Sequence, residues 1–270
     1  MLPRMMTMFQ VDAFADRLFT GNPAAVIVVE RFPEADLMQA LAMENNLSET
    51  AFACREGTGW RLRWFTPVSE VDFCGHATLA AAHVLAAELG VVGEIEFLTR
   101  VGSITVSEAA GLYWLDLPAF PPAEIGADEA RVRVLLDHPP IEMFRSFENL
   151  FVELHDQSAV ETYVPDLGAT AALHPSGFVV TARAAEPSCD FVSRYFAPSY
   201  GIPEDPVTGS IHATLVPYWA AKLRKDSLIA RQLSARGGTL QCRMAGGRVL
   251  IGGRAVTFMK AQLRLDDRKR

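Results

Sequence analysis

Cys74, Gly75 and His76 stand side by side in "VDFCGHATLAAAHVLAAELG", residues 71–90. A thiol and an imidazole can each move a proton, and a glycine lets the backbone approach a ligand closely. The chain beyond them is almost wholly apolar: between 77 and 89 only Thr78, His83 and Glu88 are polar. A helix without a polar face must be buried on every side. The stretch therefore predicts a central helix wrapped by sheet, with the three capable residues at its N-terminus. Unpaired N–H groups and a partial positive charge make such a terminus a site for anions, carboxylates among them.

Candidate acids come from two other places. Glu49 lies in "NNLSETAF", between an apolar strand and a helix end expected to close on a left-handed Asn45 or Asn46. Partial desolvation there would suit a carboxylate to general acid–base work. Glu204 and Asp205 arrive in "GIPEDPVTGS" (201–210), just ahead of Gly209 and Ser210. Asp205 reads either as a partner in chemistry or as a helix cap. Cys74, beside a helix N-terminus, is expected to have a lowered pKa and to be able to carry a proton as thiolate.

The elements that must position these residues are written twice. "RWFTP" (63–67) recurs as "RYFAP" (194–198), and "HATL" (76–79) recurs at 212–215, with a five-residue insertion in the second copy. Upstream the pattern matches too. Strand 24–30, helix 33–46 and strands 50–54 and 60–67 are echoed by strand 149–154, helix 164–175 and strands 177–182 and 189–198. The repeat predicts two pseudo-symmetric α+β halves, each a curved mixed sheet around a buried central helix, with a cleft between them. The first half spans 1–120, joined by the C-terminal strand at about 256–265, and the second spans 121–255. Pro217 is expected to kink the second central helix or confine its regular part. Tyr218 and Trp219 are expected at an edge or interface.

Composition narrows the function classes. The chain has 270 residues, half of them hydrophobic, so a large core is expected. A net charge of −7 argues against nucleic acid. No apolar run is long enough for a membrane span, and the start lacks a signal-peptide pattern, so a cytoplasmic protein is expected. The four cysteines form no CxxC pair and the histidines no HExxH motif. His76 and His83 share a helix face without a carboxylate to complete a metal site, so no metal is expected.

"DAFADRLFTGNPAAVIVV", "NNLSETAF", "FTPVSEVDFCGHATLAAAHVL" and "FAPSYGIPEDPVTGSIHATL" resemble the PhzF family of phenazine-biosynthesis isomerase-like proteins, from about residue 7 to about residue 260. The resemblance implies the diaminopimelate-epimerase-like fold and a cofactor-free proton shuttle. Glu49 matches the family's proton-moving glutamate, His76 its histidine after glycine, and Asp205 its aspartate before "TGS". The substrate carboxylate is implied to lie at the helix starts Gly75–His76 and Gly209–Ser210. Ser48 would sit beside the base, and Asn22 in "TGNP" would line the cleft. Cys74 stands where the phenazine enzyme has alanine and the wider epimerases have the first of two cysteines; the second is missing here. The reading is an isomerase acting on a small carboxylate-bearing metabolite. Its alternatives are an amino-acid epimerase using Cys74 and a non-catalytic binding protein. A homodimer is expected from the family habit, with Trp64, Tyr218 and Trp219 supplying apolar surface.

Overall fold

The computed structural model describes residues 4–146 and 148–265, in two compact units. One runs through Leu115 and takes in the segment from Gly253 on; the other is Asp116–Gly252.

The first unit begins with β1 (Arg4–Ala13), β2 (Asn22–Val29), α1 (Ala35–Asn45), β3 (Glu49–Glu56), β4 (Gly59–Phe65) and β5 (Glu70–Val71). It continues with α2 (Gly75–His83), β6 (Ile95–Thr99), β7 (Gly102–Ala109) and β8 (Leu112–Pro118). β2 and β3 run parallel, while β1 pairs antiparallel with β2 and β3 with β4. Both faces of β2 are covered. Ala25 and Ile27 join Met38, Leu41 and Phe52 in a core beneath α1, and α2 packs against β1, β2 and β3. Double coverage explains why β2 reads as an unbroken apolar run rather than an alternation.

Helix α2 is shorter than its apolar run. After His83 the chain widens through Val84–Glu88, and the Leu89 amide reaches back to Val84 O at 3.1 Å. Gly75 to Ala82 are all buried, as a helix without a polar face requires. Asn46 closes α1 in the left-handed conformation, at φ 49°.

The second unit repeats the plan with β9 (Ala123–Glu124), α3 (Glu129–Arg133), β10 (Glu142–Ser146), β11 (Asn149–Glu153), α4 (Gln157–Thr162) and α5 (Leu167–Ala171). Then come β12 (Gly177–Arg183), β13 (Phe191–Ala197), β14 (Ile202–Asp205), α6 (Gly209–Leu223), β15 (Ser227–Gln232), β16 (Gly238–Ala245) and β17 (Arg248–Gly253). β11 and β12 are parallel, with antiparallel pairs on either side, β10 with β11 and β12 with β13. In both units the strand after the central helix runs parallel to the strand two before that helix, β6 to β4 and β15 to β13. β18 (Ala255–Leu265) returns to the first unit and pairs antiparallel along β1.

The repeated arginine of "RWFTP" and "RYFAP" has one job in both units. Arg63 grips Glu70 with two bonds, of 2.7 and 2.8 Å. Arg194 grips Glu204 with bonds of 2.6 and 3.1 Å. Each bidentate pair ties a long strand to the short strand that leads into the central helix. Glu204 is thereby committed to the frame.

Helix α6 runs as one span through Pro217, so the proline does not confine its regular part. Pro217 has no N–H for Ala213 O, and that carbonyl accepts from Phe120 N instead, at 2.9 Å. Tyr218 and Trp219 are buried, not at an edge. Trp219 stacks on Phe191 and donates to Thr181 Oγ1 at 3.0 Å. The Tyr218 hydroxyl lies 2.8 Å from Glu142 Oε2 and also against Glu153 Oε2, with its one proton to donate between them. Trp64 is also buried. None of the three supplies the apolar surface expected of a dimer face. No described helix is long and apolar enough to cross a membrane.

Candidate active site

Four side chains of the first unit converge at the start of α2. Glu49 opens β3, Asn22 opens β2, and Cys74 and His76 flank Gly75 at the helix start. The parallel pairing sets Ala24 against Glu49, which brings the starts of the two strands together.

His76 is the hub. Its Nε2 lies 3.0 Å from Glu49 Oε2, with both side chains buried. Among the described residues, these two atoms have no other hydrogen-bond partner. On the opposite side of the ring, Nδ1 lies 3.1 Å from Asn22 Nδ2 and 3.5 Å from Cys74 Sγ. Ser48 Oγ donates to Asn22 Oδ1 at 3.3 Å. A connected line results: Ser48, Asn22, His76, Glu49.

The electrostatics differ from the expectation for Cys74. Burial, then the charge of Glu49, pushes its thiol up to about 11. Helix-terminus stabilisation of a thiolate does not outweigh that desolvation, so Cys74 is a thiol near neutral pH. For His76, burial alone would favour the neutral ring. Negative charge on Cys74 or Glu49 overrides it and holds the imidazole well above its ordinary value.

Glu49, Cys74 and His76 also form a group whose ligand atoms lie within 4.8 Å of one another. A carboxylate therefore does stand beside His76, contrary to the expectation from spacing. The ring divides the donors, however, with Cys74 toward Nδ1 and Glu49 toward Nε2. That arrangement suits passing a proton across an imidazole better than closing around one ion. His83 is elsewhere, bonded to Tyr113 and Thr257.

In the second unit Asp205 ends β14 and is buried. It does not cap α6. The N-cap residue is Thr208, whose hydroxyl donates to Asp205 Oδ2. Gln232, from β15, holds the turn from both sides. It accepts from Thr208 N and donates to Asp205 O, each at 2.8 Å. Sequence reasoning missed Gln232; its only signal is a polar residue at an inward position of "SLIARQ". Gly209 is buried and Ser210 half-buried at the helix start. Neither Cys74 nor Thr208 caps its helix with a side-chain bond.

The family model described as "Phenazine biosynthesis-like protein" matches residues 11–261. The chain belongs to this phenazine biosynthesis-like, PhzC/PhzF family. An uncharacterized isomerase of Pseudomonas aeruginosa is 49% identical over 257 residues, covering 95% of this chain and 97% of the relative. A PhzF-family crystal structure from Enterococcus faecalis superposes with a TM-score of 0.92 at 42% identity, covering 97% of this chain and all of that one. A hydroxyproline epimerase from Agrobacterium vitis, 12% identical with a TM-score of 0.64 and coverage of 98% and 94%, shares the fold. The architecture is the α+β, diaminopimelate-epimerase-like fold, and the family places the chain among isomerase-like proteins.

Proposed function

We propose that this protein is a cofactor-independent isomerase that moves a proton between carbons of a small carboxylate-bearing metabolite. The observation that carries the reading is the buried contact between Glu49 Oε2 and His76 Nε2 at a helix start with no side-chain cap. In this reading the substrate carboxylate lies against the open backbone amides at Gly75–His76. Those amides stabilise the charge that spreads into the carboxylate as a neighbouring C–H bond breaks. Glu49 takes that proton and returns it to another carbon, and His76 orients the carboxylate and steadies its charge. The electron pair and the proton both stay within the substrate and Glu49, so the balance requires no redox partner.

The second unit's counterpart is the start of α6. We assign Gly209 and Ser210 a carboxylate-binding role and Asp205 the role of polar partner to the substrate. The high-lying thiol of Cys74 argues against the epimerase alternative, which needs a ready thiolate. We also place the protein in the cytoplasm. The test is deuterium incorporation into a carboxylate substrate in D₂O, followed by NMR. Incorporation at two carbons of one substrate with migration of a double bond supports an isomerase; inversion at one stereocentre points instead to an epimerase.

A further inference from the structure

Asn22 is completely buried, and both ends of its amide are engaged by protein. As a substrate-lining residue it would need a free end facing the ligand. Its Nδ2 faces His76 Nδ1 at 3.1 Å, and its Oδ1 receives the Ser48 hydroxyl at 3.3 Å. A hydroxyl that donates to Oδ1 fixes which way the amide points. An amide N–H aimed at Nδ1 makes that nitrogen an acceptor and leaves the ring proton on Nε2, the atom 3.0 Å from Glu49.

We propose that Asn22 is a positioning residue that sets the tautomer and charge of His76, holding the ring proton on the nitrogen that faces Glu49, with Ser48 fixing the amide. The inference deepens the acid–base reading of Glu49 and rests on it only for the effect on turnover. The titratable groups facing His76 in this unit are Glu49 from β3 and Cys74 from the start of α2. When His76 takes a second proton, on Nδ1, the amide must turn over so that Oδ1 accepts it. The turned amide keeps a bond to Ser48, whose hydroxyl then accepts from Nδ2, but it gives up the donated bond that orients the resting amide.

The test reads His76 directly, with no substrate present. The full chain is labelled with ¹⁵N-histidine, and the His76 ring is assigned by its loss in His76→Gln. In the wild type the neutral ring is expected to carry its proton on Nε2. Asn22→Asp replaces the amide with a same-sized, acceptor-only group, so it favours Nδ1–H and raises the His76 titration midpoint by about one pH unit or more. Ser48→Ala, a milder change, frees the amide to turn and raises the midpoint by less. The expected order is wild type, then Ser48→Ala, then Asn22→Asp. A neutral wild-type ring protonated on Nδ1, or one midpoint shared by wild type and whichever variants fold, overturns the proposal. Failure of Glu49→Gln to slow proton exchange would overturn the isomerase reading while leaving this NMR result standing.

Discussion

His76 and His212 open the same tetrapeptide, "HATL", yet their rings stand in opposite electrostatic settings. His76 is the second residue of α2, and His212 the fourth of α6. Two residues turn a side chain through about 200° around a helix. His76 meets Cys74 and Glu49, whose charges push it toward the charged form. His212 is fully buried beside Phe191, with Nδ1 against Thr208 O at 2.8 Å, and desolvation lowers it to about 4.

The His212 setting gives the fold an acid-sensitive element. An unfolded chain binds the proton at an ordinary imidazole pKa of about 6.5, and the folded chain resists it down to about 4. The stability that His212 contributes is therefore complete above about pH 6.5 and is lost as pH falls toward 4, by up to about 3 kcal/mol. Urea unfolding midpoints for wild type and His212→Gln, taken between pH 7 and 4.5, should show a smaller acid loss in the variant. Equal slopes would remove His212 as the cause.

The paired braces make a second expectation. Arg63→Met or Arg194→Met leaves Glu70 or Glu204 without its bidentate partner. Each should cost about 1–3 kcal/mol in chemical denaturation. Arg194 costs more, because its guanidinium also donates to Tyr163 O at 2.7 Å. A negligible effect of both would mean that the repeated arginine has no structural role.

Gly21 ties the frame to the site. It has φ +68°, and an added Cβ would stand 2.2 Å from Ala13 O and 2.8 Å from Ala15 Cβ. Gly21→Ala must shift the backbone next to Asn22, so it should destabilise by about 1–3 kcal/mol and disturb the His76 ring resonances. Resonances and stability unchanged from wild type would contradict the geometry.

Cys74 should alkylate slowly at neutral pH. Peptide mapping after iodoacetamide treatment should show its labelling rate still rising toward about pH 11. A rate that levels off below pH 8 would restore the thiolate expected from its place at a helix start.

Much of the frame is legible in the sequence because it depends on local pattern. The apolar run of α2, the left-handed Asn46 and the twofold order of elements come from periodicity and turn chemistry. Glu49 and His76 stand out as residues, but their 3.0 Å contact joins positions 27 apart in the chain and depends on α2 packing against β2 and β3. The failures share a cause. Cys74 as a thiolate and Tyr218 and Trp219 as edge residues are both inferences from near neighbours in sequence. Distant ones decide them: burial and Glu49 for Cys74, and Thr181, Phe191 and Glu153 for the aromatic pair. The repeat of "HATL" is real, but two residues of the insertion lie inside α6, which turns its histidine into the core.

Glu49→Gln is the most direct test of the proposed function. Glutamine keeps the shape and can still bond to His76, but it cannot take up a carbon-bound proton at neutral pH. The measurement is deuterium incorporation by NMR in D₂O, with a panel of cyclic and amino carboxylates as substrates. Wild type should exchange substrate protons, and Glu49→Gln should do so about 10²- to 10⁴-fold more slowly, with stability nearly unchanged. Exchange by Glu49→Gln at the wild-type rate would contradict Glu49 as the acid–base group.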